Sequence, residues 1–189
     1  LADGGAGAVG GRGAALLGPY AGAQYDAPGC GGNARGVPEL VEKYPLISIE
    51  DPMAEDDFEA FSYFRKHVVK LKEKNPLNGK KEVLVVGDDL LVTNPERVRM
   101  AQAKNLCNSL LLKINQIGTL SESLEAHQLS AKKGWHTIVS HRSGETCDDF
   151  ISDLAVALHS SIKLGAPARG EGVAKANKLL NIYSYVLIF

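Results

Sequence analysis

Five places in this 189-residue chain set a charged or strongly polar side chain at the end of a short apolar run. Leu46-Ile47-Ser48-Ile49 leads into Glu50 and Asp51, and Val83 to Val86 leads through Gly87 into Asp88 and Asp89. Leu110 to Leu112 leads into Lys113, Thr137 to Val139 into Ser140 and His141, and Ser161-Ile162 into Lys163. Each group suggests a chemistry. Carboxylate oxygens such as those of Glu50 and Asp88 are hard ligands that suit Mg²⁺, although acids after strands also serve as helix caps. A lysine such as Lys113, flanked by aliphatic residues, is partly desolvated and so a candidate general base. Arg142 can hold a phosphate through two N–H groups, Ser143 adds a hydroxyl, and a helix start adds backbone amides. Ser143 and Thr146 are equally good ordinary cap residues. Two acids, two lysines, a histidine and an arginine on one rim would make a site for an anion and a divalent metal.

Those side chains need elements to carry them. The apolar runs are separated by amphipathic stretches with helix signals. Phe58, Phe61, Phe64 and Val68 mark a helix to about Lys70, and Asn94-Pro95 starts another to about Ala103. Further helices are expected from about Ser121 to Lys133, stopping at Gly134, from about Thr146 to Ser160, and from about Gly172. The last should bury Val173, Ala176, Leu179 and Leu180. Pro38 to Tyr44 reads as a short helix and Lys70 to Lys81 as a solvated loop with two turn signals. Strand alternating with helix predicts an α/β fold with about five parallel strands. Reactive groups at the carboxyl ends of such strands are how a (β/α) barrel builds its active site. The chain is short for a closed eight-stranded barrel of about 250 residues, so a partial barrel with two open strand edges is expected.

Composition narrows the field further. The 21 basic and 22 acidic residues balance, which argues against a nucleic-acid partner. No apolar run approaches the roughly 18 residues of a membrane span. Cys30, Cys107 and Cys147 fit no metal-ligand spacing and suit a cytoplasmic location. Residues 1–36 hold 12 of the 20 glycines and nine alanines, and are expected to be a disordered segment ahead of a domain over 37–189. Their Gly5-Ala6-Gly7-Ala8-Val9-Gly10 matches a dinucleotide-binding glycine pattern, but only four residues precede it where a strand is required. The chain begins at Leu1, and an upstream part is expected.

Five motif-bearing stretches resemble the enolase family in order. They are Ser48-Ile49-Glu50-Asp51-Pro52, Gly87 to Leu90 with Val92-Thr93-Asn94-Pro95, Leu110 to Gly118, Ser140 to Thr146, and Ile162 to Pro167. The resemblance covers about residues 40–183. It implies a partial (β/α) TIM-type barrel of the enolase superfamily, and a lyase that uses Mg²⁺ to dehydrate 2-phosphoglycerate to phosphoenolpyruvate in glycolysis. It also implies a homodimer for the full-length protein. By the same resemblance, Glu50 and Asp88 are Mg²⁺ ligands at the substrate site, and Lys113 is the base that removes the C2 proton. His141 and Lys163 bind substrate, Lys163 beside the carboxylate, while Ser140, Arg142 and Ser143 belong to the loop that contacts phosphate. The acid glutamate, a third metal carboxylate and the first three barrel strands would lie upstream of the match. The chain is therefore expected to be an incomplete fragment, and a truncated, non-catalytic binding or scaffold protein is the alternative. A related enzyme whose substrate lacks phosphate is a third reading, opposed by Arg142 and Ser143.

Overall fold

The computed structural model describes residues 15–17, 26–27, 30–31, 41, 44, 46–71 and 82–186. Three short strands come first: β1 (Ala15–Leu17), β2 (Asp26–Ala27) and β3 (Cys30–Gly31). The repeating part follows as β4 (Leu46–Glu50), α1 (Phe58–Leu71), β5 (Leu84–Gly87), α2 (Pro95–Lys104) and β6 (Ser109–Leu112). It continues with α3 (Ile114–Ile117), α4 (Leu120–Lys132), β7 (His136–Ser140), α5 (Phe150–Ala157), β8 (Ser161–Lys163) and α6 (Gly170–Val186).

One parallel sheet carries the molecule, in the order β1-β4-β5-β6-β7-β8, while β2 and β3 form a separate antiparallel pair. The five expected strands, β4 to β8, are present, parallel and in chain order, as a curled half-barrel backed by helices. A sixth is added. β1 pairs with the outer edge of β4, Leu16 opposite Ser48 and Leu17 opposite Ile49. Within residues 1–36 the described stretches are 15–17, 26–27 and 30–31, where strand pairing satisfies backbone N–H and C=O groups despite the weak apolar pattern. The glycine pattern at 5–10, most of the helix expected at 38–44 and most of the loop expected at 70–81 lie outside the described residues.

The strands climb past one another. A row of paired residues runs from Glu50 through Val86 and Ser109 to His136. Asp88 thus lies two residues above that row, Lys113 and Ser140 four, and Lys163 is level with Ser140. All five strands still end on the same side, which is what brings their terminal residues to one mouth.

Burial explains the helices. α1 seats Phe61, Phe64 and Val68 fully in the core, at the i, i+3, i+7 spacing of one helical face, and Asp57 Oδ1 caps it by accepting from Ala60 N–H at 2.9 Å. β6 is buried along its whole length, Ser109 to Leu112, as a strand covered by the mouth on one face and by helices on the other must be. β6 stops at Leu112, where the apolar run ends, and Lys113 is the N-cap of the short α3, which Gly118 closes at φ +111°. Two expectations shift. α5 begins at Phe150, not near Thr146, because Thr146 Oγ1 accepts from Asp148 N–H and Asp148 Oδ1 from Phe150 N–H, local bonds that compete with a helical turn. On α6 the packed positions are Gly172 and Lys175, whereas Val173 and Leu180 are exposed.

Candidate functional site

The ends of β4 and β5 are tied together by an aspartate. Asp51, just past β4, adopts a left-handed φ of +40°, which turns its carboxylate toward the next strand end. There Oδ1 accepts from Asp88 N–H at 3.0 Å and Oδ2 from Asp89 N–H at 2.7 Å. Burial pushes the Asp51 carboxyl up to about 6, opposed by those two N–H bonds and reinforced by the neighbouring acids. Glu50, the last residue of β4, instead meets Lys163 in the hollow.

Two ammonium–carboxylate pairs face the mouth. Lys113 Nζ donates to both oxygens of Asp88, at 2.7 and 2.6 Å, and the two side chains are each only 13% exposed. Lys163 Nζ donates to both oxygens of Glu50, at 2.7 and 2.9 Å. The second pair spans the curl of the sheet from β8 to β4. Lys113 is aimed from behind by Thr93. That buried residue holds φ +56°, its Oγ1 donates to Leu111 O at 3.3 Å, and it accepts from Lys113 N–H at 2.9 Å. A β-branched residue in the left-handed region is uncommon and costs energy, and here it fixes where β6 ends.

The third wall is the segment after β7. Ser140 Oγ donates to His141 O at 2.9 Å, and His141 N–H donates to Lys163 O at 3.0 Å, which holds the histidine against β8. Burial holds the His141 imidazole below its ordinary range, and the Lys163 ammonium acts in the same direction. Gly165, at φ +89°, passes so close that a Cβ there would lie 2.7 Å from His141 Cε1; only glycine suits both the backbone and the approach. Arg142 N–H donates to Glu145 Oε1 at 2.9 Å, leaving the Arg142 and Ser143 side chains at the rim.

All the side chains expected from the sequence meet. Glu50, Asp88, Lys113, Ser140, His141, Arg142, Ser143 and Lys163 line one hollow of about 360 Å³, which Asp89 joins. The carboxylate grouping is less simple than expected. Oxygens of Asp51, Asp88 and Asp89 lie within 4.8 Å of one another, whereas Glu50 is engaged by Lys163. This donor set, all hard oxygen, fits a divalent cation of the Mg²⁺ kind, with the Lys113 and Lys163 ammoniums supplying the positive charge at Asp88 and Glu50. Thr93 and Glu145 fall within the motif-bearing stretches, but spacing does not signal their supporting contacts, which reach distant parts of the chain: Thr93 to β6, and Glu145 to Lys175 at 3.1 Å.

Comparison with known proteins agrees with this arrangement. Residues 35–186 match the family described as enolase, C-terminal TIM barrel domain. The chain is 46% identical over 149 residues to Enolase 2 of Methanospirillum hungatei, covering 78% of this chain and 32% of that protein. It is 50% identical over 145 residues to an enolase of Methanococcus vannielii, covering 76% of this chain and 31% of that protein. The chain thus spans about a third of the length of these curated relatives. Parallel strands β4 to β8, the shared hollow at their carboxyl ends and this similarity lead to one statement: the chain belongs to the enolase family, in its C-terminal barrel domain.

Proposed function

We propose that this chain carries the carboxyl-terminal half of an enolase site, the site of a lyase that dehydrates 2-phosphoglycerate to phosphoenolpyruvate with Mg²⁺. The observation that supports this best is the single hollow shared by Lys113, Lys163, Arg142, Ser143 and two strand-end acids. Its chemistry matches the substrate. Arg142 and Ser143 would bind phosphate at one wall, and Lys163 would bind the carboxylate at another. Lys113, between them, would face the carbon that carries the proton. That proton is hardly acidic, because its loss puts a second negative charge on the carboxylate. Bound Mg²⁺, held by Glu50 and Asp88, would supply positive charge beside that developing dianion. A lysine or histidine base working beside Mg²⁺ is the pattern of the enolase superfamily. Lys113, which donates to Asp88 as an ammonium, would have to give up a proton and turn from Asp88 before it could accept the substrate's. Lys163, paired with Glu50, would present preorganised positive charge to the carboxylate.

The general acid for departure of the C3 hydroxide belongs, by the resemblance, to a region upstream of the match. The proposal for the 189-residue chain alone is therefore ligand binding without turnover, with residues 37–189 as the folded unit. A non-catalytic binding or scaffold role is the second reading, favoured by coverage of about a third of each relative. Homodimerisation of a full-length protein and a cytoplasmic location belong to the same proposal. Among the described residues no helix is long and apolar enough to cross a membrane.

The test compares purified 1–189 with its Lys113→Ala variant in a phosphoenolpyruvate assay with Mg²⁺, alongside titration with 2-phosphoglycerate. Binding without turnover by either chain is expected. Mg²⁺-dependent turnover that disappears in the variant would overturn the missing-acid argument. Absence of binding would overturn the assignment of substrate.

A further inference from the structure

Lys175 is the most deeply placed cation among the described residues. It lies in the second turn of α6, its side chain 0% exposed, where a charge must be paired to be tolerated. Its ammonium donates to Thr146 O at 3.0 Å and Glu171 O at 3.1 Å, and it pairs with Glu145 Oε2 at 3.1 Å. The other oxygen of Glu145 accepts the Arg142 N–H. One buried charge thus connects α6 to the backbone of the phosphate-facing residue through a single carboxylate.

The segment it touches has little else to hold it. Among the described residues, no backbone N–H from Arg142 to Asp149 bonds to a carbonyl of another element, and the turn at Ser143-Gly144 is local. Its local bonds at Asp148 and Phe150 tie it only to itself. Behind the lysine, Ser152 Oγ donates to Lys175 O at 2.9 Å, so α5 and α6 are locked at the same level. The loop's backbone N–H groups tie it to no other element, whereas the contacts of Lys175 tie it to α6.

We propose that Lys175 is the positioning residue of the phosphate-facing loop: through Glu145 and Thr146 O it holds Arg142 and Ser143 toward the hollow without itself touching ligand. This rests on the reading of the hollow as a phosphoester site. Removing the charge frees Glu145, lets Arg142 turn outward and weakens phosphate binding, while glycerate, which lacks phosphate, binds as before.

The test titrates the full chain with 2-phosphoglycerate, inorganic phosphate and glycerate, in the parent, Lys175→Met, Arg142→Ala and the double variant. Circular dichroism and amide exchange of the β4 to β7 strands check the fold. The expected result is a loss of about tenfold in affinity for both phosphates in each single variant, no loss for glycerate, and no further loss in the double variant. Multiplying losses would mean that Lys175 does not act through Arg142, and an equal loss for glycerate would mean a general effect on the fold; either overturns the proposal. Unchanged phosphate affinity in Lys175→Met overturns it as well, with the substrate reading intact. A parent chain that prefers no phosphate compound to glycerate overturns the substrate reading itself, and this proposal with it. If Lys175→Met does not fold, Glu145→Gln, which keeps the acceptor for Arg142 N–H but not the charge for Lys175, takes its place with the same expected losses.

Discussion

Asp51 sits where backbone and charge disagree: each of its oxygens accepts an N–H, from Asp88 and from Asp89, yet it is buried beside two further acids. Burial wins, and its carboxyl titrates near 6 rather than 3.8. In the folded state it therefore holds a proton over a pH range in which the unfolded chain has released it. Its contribution to stability is full below about 4 and is lost as pH rises through 6. In chelating buffer, urea unfolding should show a loss of roughly 2 to 3 kcal/mol across that window, absent in Asp51→Asn. A flat parent profile would mean a well-solvated carboxylate. Lys113 gives a prediction of the opposite kind. Its ammonium and a metal ion would compete for Asp88, so Lys113→Ala should bind Mg²⁺ several-fold more tightly by calorimetry, and Asp88→Asn more weakly. Equal affinity in all three chains would place the metal elsewhere. The rim residues were legible because each lies at or within a few residues of the end of an apolar run. Lys175 was not, since a lysine on a helix reads as solvated until the fold shows that Glu145 and two carbonyls surround it.

Helix starts were read well where a side chain caps locally and less well where side chains form turns of their own. Asn94 is the clear case: its Oδ1 accepts from Glu96 N–H at 2.8 Å and Arg97 N–H at 3.4 Å, and Pro95 occupies the first turn. Asn94→Ala should cost about 1 kcal/mol in urea or thermal unfolding, with no change in phosphate affinity, because α2 ends far from Arg142 in the chain. Stability equal to the parent would show that Pro95 and the macrodipole suffice. Thr119 caps α4 in the same way, with Glu122 answering it, and this helix was found to within a residue. The start of α5 was missed by four residues because Thr146 and Asp148 bond to nearby N–H groups. The small α3 was missed because Ile114, a good strand residue, packs against the core from a helical turn instead.

At the level of the whole molecule, the alternating pattern sufficed for a parallel sheet in chain order, and the similarity to enolases agrees with it. The pairing of β1 with β4 was illegible, since three residues in a glycine-rich stretch, Ala15-Leu16-Leu17, are too few to carry a periodic signal. It covers one sheet edge. On the other, β8 has no further strand beside it among the described residues, and Leu180, Tyr183 and Tyr185 stand exposed on α6. Uncovered backbone groups next to an apolar surface favour association. Sedimentation of purified 1–189 should therefore show an average mass that rises with concentration. A strict monomer at every concentration would mean that the edge is protected by something other than a neighbouring strand.

The slant of the strands reaches further than the residues it aligns. Between β4 and β8 the rim rises by four positions relative to the paired row, and a closed ring of eight strands requires a total climb of about eight. This arc therefore holds about half of the helical pitch needed for closure. Any segments that complete the circle, whether from the same polypeptide or another, must enter with the remaining stagger, or the last seam will not meet in register.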